Sequence, residues 1–516
     1  METKQEKKES PRTGGGISAL KFLPLVVFAA LVIVFKLELL LAAPIATFVA
    51  ILVYIFIYRS NFDIALEQGL KSARSIIGVF FILMFAYAVA ESFIATGVGA
   101  SLINLALKLG VTGRTVAVIS LIVTCLLSVA TGTSWGTFAA CAPIFLWLSE
   151  LVGGDPILTV CAIAGGSCFG DNIGMISDVT VLSCGMQDVR IIDRVKHQSV
   201  WSCSCLVLAA VVIFLCSLHL PNTQGDVAEA ISKIPGEAYA ALAEERPVAL
   251  ELLSQIEHGV PYYMIIPMVL VIVLSFMGLN TLICLGSGMI SAMLLGVIAG
   301  TTTFPEWLNN QVLAGFRDAG GSVVIMMLWV SVFGGIMNSM NTFDPLAKFF
   351  VKISKNVHQL MGWCGILCLV GNAALADEAA QVVTISPIIR DVVEKNVECE
   401  DEKAAYALRV RLATLTSSMG IYGSELIPWH CFPVFFAKIA TSVYPLHEFT
   451  AIDIISRNYM SFIVIGSIII LSFTGLDRFV PMFGLPDKKR VRLKKETTTP
   501  CLLYTSDAAD ERSSVK

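Results

Sequence analysis

Long apolar runs recur along most of this chain, and they constrain its fold more than any other feature. Each run, such as LLLAAPIATFVAILVYIFIY at 39–58, approaches the roughly 20 residues that a helix needs to cross about 30 Å of hydrocarbon. Of the 516 residues, 56% are hydrophobic and 15% are charged, whereas a soluble domain carries about 25% charge. We therefore predict an all-α polytopic membrane protein, because a β-barrel would show short alternating strands.

Two apolar stretches are interrupted by polar residues, which indicates hairpins rather than single spans. Residues 115–151 are cut by TGTSWGT, and residues 361–393 are cut by GNAALADEAAQ. With a cytoplasmic N-terminus, the hairpin interpretation places most basic loops inside, including Arg190, Arg194 and Lys196, as the positive-inside rule requires. The predicted spans are 22–35, 39–58, 76–96, 157–184, 199–218, 262–277, 280–300, 322–341, 405–439 and 459–475.

The predicted architecture is two repeats, each of about five transmembrane helices plus a re-entrant hairpin. An odd number of crossings makes the two repeats inverted in the membrane and leaves the N- and C-termini cytoplasmic. FGDNIGMISD at 169–178 parallels GIYGSELIPW at 420–429, and each interrupts an apolar span. Interrupted segments at matching positions of two inverted halves point to a substrate site near the bilayer midplane, so we expect broken helices there.

The chain divides at changes of composition. Residues 501–516, CLLYTSDAADERSSVK, resemble the in-frame translation of a sequencing-library adaptor, and we expect the native sequence to stop being represented near Pro500. The segments before that point are the N-terminal tail, the first repeat, an acidic extramembrane loop with a short amphipathic helix, the second repeat and a basic tail: 1–20, 21–219, 220–259, 260–476 and 477–500.

Two carboxylates within one apolar span are the leading candidates for function. A charged side chain at the bilayer centre costs about 2.5–3.5 kcal/mol by insertion scales, so Asp171 and Asp178 are expected to bind an ion or carry a proton. On an unbroken helix they would lie about 10 Å apart, and a break at Gly170 or Gly174 would bring them closer. Two nearby carboxylates can hold a proton or a cation in alternation.

Hydroxyl and amide oxygens accompany these carboxylates at both interruptions of the first repeat. Oxygen ligands suit Na⁺ better than they suit soft metals. We expect Na⁺ at Asp171 and Asp178, and the full predicted transport site comprises Thr131, Ser134, Thr137, Asp171, Asn172, Ser177, Asp178 and Thr180.

The second repeat has its own polar residues at the corresponding places. Asp377 and Glu378 lie at the tip of the second hairpin, and Glu425 precedes the second broken span. The predicted second-half site comprises Asn372, Asp377, Glu378, Gln381, Ser424 and Glu425. Glu91, within the third span, is a candidate proton relay.

These features favour a transporter over an enzyme. The chain has no Walker A loop, and serine, histidine and aspartate cannot be assembled into a triad at one membrane depth. We expect no cofactor and no nucleic-acid partner, with Na⁺, H⁺ and membrane lipid as the binding partners. Because no intramembrane Arg or Lys is evident to pair an organic anion, Na⁺/H⁺ exchange is favoured over its alternative, a Na⁺- or H⁺-coupled exchanger of a small organic acid or amino acid.

At TGTSWGT, GGSCFGDNIGMISDVTVLS and SELIPW, the chain resembles the NhaC-type Na⁺/H⁺ antiporter family, within the broader ion-transporter superfamily. The resemblance implies a Na⁺/H⁺ exchanger of the bacterial inner membrane, and a homodimer in which a hairpin-bearing domain moves against a scaffold. Gly174 and Met175 stand where the family usually has Ser-Pro, and Val179 replaces a threonine. Relatives in the family exchange organic acids or amino acids, which keeps the alternative open.

Overall fold

Nearly every described element of this chain is a helix. The computed structural model describes residues 15–35, 37–75, 77–174, 177–222, 247–277, 279–340, 342–487 and 489–494. By length and apolar composition, six of the described helices could each cross a membrane, or up to seven if a pair bent by 67°, Phe80–Thr96 and Val98–Lys108, is one span. The all-α polytopic class is therefore confirmed. The predicted adaptor-like segment 501–516 lies outside the described residues.

The first half of the chain contains α1 to α11. Their bounds are Gly15–Leu20, Leu23–Ile33, Leu39–Tyr58, Phe62–Ser75, Ile77–Thr96, Val98–Lys108, Val116–Thr131, Ser134–Leu151, Pro156–Ile173, Asp178–Gln187 and Ile191–Cys216.

The second half contains α12 to α22. Their bounds are Pro247–His258, Ile266–Phe276, Thr281–Ala299, Phe304–Ser339, Asp344–Ile353, Val357–Leu375, Glu378–Asn396, Glu402–Ser424, Cys431–Val443, Ala451–Ser456 and Tyr459–Thr474. Two short strands, β1 and β2, pair antiparallel at Val397–Cys399 and Val491–Leu493.

Helices α7 and α8 form an antiparallel hairpin. A Cβ placed on Gly113, just before α7, would lie 2.9 Å from the carbonyl oxygen of Val152, just after α8. Helices α17 and α18 also fold back on each other. The evidence is the proximity of Gly371 to Ile385, since a Cβ on Gly371 would lie 2.5 Å from the Ile385 side chain. In one straight helix, Gly371 and Ile385 would be about 20 Å apart.

The tips of the two hairpins share one backbone conformation. Gly132 and Ala376 both end a helix in the left-handed region, at φ 68° and φ 53°. The next residues, Thr133 and Asp377, are extended and begin the second helix of each hairpin. A left-handed residue followed by an extended one reverses the chain direction in two residues, as each hairpin requires. The inverted relation of the two halves remains a prediction.

The two predicted broken spans are each interrupted. Helix α9 ends at Ile173, Gly174 and Ser177 are extended, and α10 begins at Asp178. Gly170 is not part of the break. It stays helical because it packs directly on the backbone of α7. In the second half, the break separates α19 from α20.

Hydrogen bonds join the ends of helices that are far apart in the sequence. The Thr301 hydroxyl, just after α14, donates to the Thr96 carbonyl oxygen at the end of α5 over 2.7 Å. The Tyr406 hydroxyl near the start of α19 donates to Asp193 at the start of α11 over 2.8 Å.

Candidate functional site

Asp171 lies where the tip of the first hairpin meets the first broken helix. It is in the last turn of α9, and only 4% of its surface is exposed. The Ser134 backbone N–H donates to Oδ2 over 3.2 Å, and the Ser134 hydroxyl donates to the same oxygen. The Ser177 hydroxyl donates to Oδ1 over 2.6 Å. One carboxylate therefore joins two interruptions that are far apart in the sequence.

Two helix N-termini point towards this carboxylate. Ser134 is the first residue of α8, and Ser177 caps α10 by accepting the Thr180 N–H over 3.2 Å. The partial positive charge at a helix N-terminus stabilises a nearby anion. The serine hydroxyls that now donate to Asp171 also carry acceptor lone pairs, so rotation of each hydroxyl can present oxygen to a bound cation.

A fully buried arginine lies beside this site. Arg194 donates to Thr180 Oγ1 over 2.8 Å and to the Asn172 backbone and side-chain oxygens over 2.9 and 3.1 Å. Gln198 accepts from Arg194 over 3.2 Å and donates to the Asn172 carbonyl oxygen over 2.7 Å. No intramembrane Arg or Lys was evident from the sequence, whereas the structure buries Arg194 beside the site.

Sequence reasoning missed Arg194 because DVRIIDRVKHQ reads as a basic loop. The structure extends α11 back to Ile191, eight residues before the predicted start at 199, so Arg194 lies in its first turns. The spacing of the polar residues in this segment could have indicated that Arg194 is buried. Arg194, Gln198 and Ser202 recur every four residues, and all three face the interior. A polar stripe at helical spacing indicates a buried polar network in an otherwise apolar helix.

The second half of the chain also contributes to this network. The hydroxyls of Ser417 and Ser418 on α19 each donate to Asn172 Oδ1 over 3.2 Å. The Asn172 Nδ2 has no hydrogen-bond partner among the described residues. The predicted site residue Asn172 is thus hydrogen-bonded to residues of both halves.

Other predicted residues of the first repeat have different places. The Thr137 hydroxyl donates back to the Thr133 carbonyl oxygen over 2.7 Å, within α8. The side chains of Thr131 and Asp178 lie outside the described residues, so the predicted carboxylate pair stays a prediction. Glu91 is buried on α5, which packs along α8.

The second hairpin is held to the second broken span by Asn372. Its amide donates to the carbonyl oxygens of Met419 and Gly420 over 3.0 and 2.8 Å. Its oxygen lies 3.1 Å from His430 Nε2, just before α20. This arrangement corresponds to the contact of the first hairpin with Asp171, but with a neutral amide at the centre.

The remaining residues of the second half do not form one cluster. Asp377 caps α18 by accepting the Ala380 N–H over 2.7 Å. Glu378 is buried in the first turn, and neither amide atom of the fully buried Gln381 has a hydrogen-bond partner among the described residues. The Ser424 hydroxyl donates to a backbone carbonyl oxygen one turn earlier. Glu425 is hydrogen-bonded to residues of α9 and α22 instead.

The family profile of the Na⁺/H⁺ antiporter family matches residues 11–183 and 166–476. The chain belongs to this family. The matched segments include both hairpins and both broken helices, and membership in the Na⁺/H⁺ antiporter family makes the chain a membrane transport protein of the antiporter type.

Relatives within the Na⁺/H⁺ antiporter family have different named substrates. The chain is 24% identical to the malate-2H⁺/Na⁺-lactate antiporter of Bacillus subtilis (strain 168), over 87% of this chain and 93% of that protein. It is 22% identical to the Na⁺/H⁺ antiporter NhaC of Alkalihalophilus pseudofirmus, over 62% and 67% of the respective chains. It is 23% identical to the arginine/ornithine antiporter ArcD of Halobacterium salinarum, over 77% and 79%.

Proposed function

We propose that this chain exchanges Na⁺ for H⁺ across the bacterial inner membrane, with Asp171 binding the two cations in alternation. The observation that supports this most directly is the position of Asp171. It is a buried carboxylate that both the hairpin tip and the broken helix contact through hydroxyl groups. Na⁺ would draw on oxygens of Asp171, Ser134 and Ser177, and protonation of Asp171 would release it.

Asp178 is proposed as the second carboxylate of the site. It is the first residue of α10, on the opposite side of the break from Asp171. Gly174 and Ser177, which are both extended, therefore lie between the two residues, in place of a continuous helix. Both termini are proposed to lie in the cytoplasm, and the homodimer implied by the family resemblance stays a prediction.

Replacement of Asp171 tests this function. In proteoliposomes with an internal pH dye, addition of external NaCl without any organic solute should change the internal pH. Asp171→Asn should reduce that Na⁺-dependent proton flux at least about tenfold, because the amide keeps the size of the carboxylate but cannot exchange a proton for a cation.

A matched control is Asp391→Asn, since Asp391 is an exposed aspartate of α18 that pairs with Lys395 at the surface. It should retain flux close to that of the unmodified protein. Wild-type flux in a folded Asp171→Asn protein would contradict the assignment of Asp171.

The second candidate function is Na⁺- or H⁺-coupled exchange of a small organic acid or amino acid. It gains support from buried Arg194, whose guanidinium is the kind of group that binds carboxylates. Its Nε has no hydrogen-bond partner among the described residues. Two relatives are also named for organic solutes. If NaCl alone causes no proton flux in folded wild-type protein, carboxylates and amino acids should be tested as the missing solute.

A further inference from the structure

We propose that Glu425 is a second proton-binding site, separate from Asp171, and that it adds one proton to each transport cycle. The inference rests on the proposed Na⁺/H⁺ exchange. Glu425 follows α19 directly and is fully buried. Its carboxylate contacts two other helices, α9 and α22, at the point where the second span is interrupted.

All hydrogen bonds to Glu425 among the described residues come from neutral groups. Asn458 Nδ2 and the Ser461 hydroxyl each donate to Oε2 over 2.6 Å, and the Cys168 thiol donates to Oε1 over 3.1 Å. The cation next in sequence to Asn458, Arg457, is paired with Asp155 instead. A carboxylate that is buried among neutral partners is stabilised by taking up a proton.

The direction of these hydrogen bonds favours a proton over a metal cation. Asn458 Oδ1 accepts the Ser461 backbone N–H over 3.2 Å, which fixes the amide so that its Nδ2 faces Glu425. An N–H group pointing into the pocket would repel Na⁺ but accommodates either form of a carboxyl group. The site is thus suited to H⁺. Asp171 also accepts one backbone N–H, but a serine hydroxyl contacts each of its two carboxylate oxygens, and both hydroxyls can turn a lone pair towards Na⁺.

Glu425 and Asp171 are connected through one face of α9. Cys168, which contacts Glu425, precedes Asp171 by three residues, so both lie on the same side of that helix. A Cβ on Gly165 would lie 2.6 Å from Met460, which shows how closely α22 approaches α9 here. Movement at the break after α9 can therefore change the surroundings of both carboxylates together.

Several titratable side chains surround this pocket. The Cys168 thiol on α9 contacts Glu425 directly, and Cys161 on α9 and Tyr422 on α19 lie close enough for Glu425 to act on them electrostatically. Asp171 and Glu378 act electrostatically on Cys168. Because Cys168 and Asp171 share one face of α9, Na⁺ binding at Asp171 is linked in this proposal to release of the Glu425 proton through α9.

The number of protons exchanged per Na⁺ tests the inference. With the membrane potential clamped at zero and a tenfold Na⁺ gradient, exchange of two protons reverses at a pH difference of about 0.5 and exchange of one at about 1. Wild-type protein should reverse near the first value and Glu425→Gln near the second. The control Glu402→Gln, which changes an exposed residue at the other end of α19, should behave as wild type.

A binding measurement covers the case in which Glu425→Gln folds but does not turn over. In detergent, the dependence of Na⁺ affinity on pH gives the number of protons released per Na⁺ bound. That number should fall by about one in Glu425→Gln. An unchanged reversal point or an unchanged proton number would overturn the role of Glu425 alone, whereas absence of any Na⁺-linked proton release in wild type would overturn the proposed function as well.

Discussion

Arg411 and Asp477 form an ion pair that is completely excluded from solvent. Arg411 donates to Asp477 Oδ2 over 2.9 Å and also to the Phe483 carbonyl oxygen. His358 Nε2 lies 3.6 Å from the other oxygen of Asp477. This group of residues ties the segment after α22 to α19 and α17. Because both charges are buried, each depends on the other for compensation.

Asp477→Asn should destabilise the protein strongly. Removal of one member of a buried ion pair leaves the other charge uncompensated, which costs about 3–5 kcal/mol. We expect a clear fall in the thermal unfolding midpoint of the purified protein. Glu402→Gln is the comparison, since it removes the partner of Arg409 in a solvent-exposed pair that should contribute at most about 1 kcal/mol. Equal midpoints for the two variants would contradict this account.

At the scale of single residues, sequence reasoning predicted isolated carboxylates better than their partners. Asp171 was predictable because a carboxylate in an apolar run is conspicuous. Arg194 was not, because its neighbours Arg190 and Lys196 made it look like part of a basic loop. Its contacts with Thr180 and Asn172 depend on how α10 and α11 fold back, which no local pattern gives.

Helix α9 uses glycines on two faces to pack between its neighbours. Added Cβ atoms on Gly166 and Gly170 would collide with the backbone of α7, and one on Gly165 would collide with α22. Small residues allow helix backbones to approach closely in membranes. The glycines of GGSCFGD thus position Asp171 by allowing α9 to pack closely on its neighbours. They do not form the break, which lies further along the chain at Gly174.

Gly170→Ala should disturb both stability and transport. An added methyl group would overlap the backbone of Ser128 and Val129, and overpacking of this kind costs about 1–3 kcal/mol. Gly185→Ala is the matched control, because that helical glycine has open space around it. The control should be neutral or slightly stabilising. Thermal midpoints and Na⁺-dependent proton flux would check both; an unaffected Gly170→Ala protein would argue against this packing.

At the scale of elements, the sequence located the breaks better than the helix starts. The break at Gly174 and the two hairpin tips lie where polar residues interrupt apolar runs. Helix α15 begins at Phe304, although apolar character alone placed its start at 322. The part of α15 before residue 322 contains the exposed residues Arg317 and Asp318, which lower its local hydropathy. That part of the helix nevertheless packs on α5.

Helix α12 packs against α5 and α6. The Gln255 amide donates to the Ala95 carbonyl oxygen at the end of α5 over 2.7 Å. Leu252 lies against Gly99 on α6. Burial, together with the nearby charge of Glu306 at the start of α15, raises the pKa of Glu251 to about 7. Docking of α12 therefore favours the protonated form of Glu251.

Docking of α12 should weaken as pH rises. The pKa of Glu251 is about 4.5 without these surroundings and about 7 with them, so the docked state binds the proton more tightly. The stability of the docked state falls as pH rises from about 4.5 to about 7 and is constant above pH 7. Hydrogen exchange in residues 247–258, corrected for intrinsic rates, should be faster at about pH 8 than at about pH 5.

Two variants separate this effect from general pH sensitivity. Glu251→Gln should remove the pH dependence and keep α12 docked. Glu257→Gln, on an exposed position of the same helix, should leave the dependence intact. If Glu251→Gln retains the dependence, another group is responsible.

At the scale of the whole molecule, composition and the recurring apolar runs were enough for the all-α polytopic class, whereas the predicted order of spans and hairpins stays a prediction. Composition and apolar runs could not give which helices pack together, because apolar helices offer no pairing code in their sequence. The contact of α19 with Asn172, for example, joins residues about 250 positions apart. Only the folded arrangement reveals that the two halves share one polar network.

The segment after α22 has a practical consequence. Through Asp477, Phe483 and β2, it is fastened to α11, α17, α19 and the strand that follows α18. A fluorophore placed on this segment would therefore report the position of α11, α17 and α19 relative to a second dye elsewhere in the protein. Such labelling would leave every residue near Asp171 unaltered.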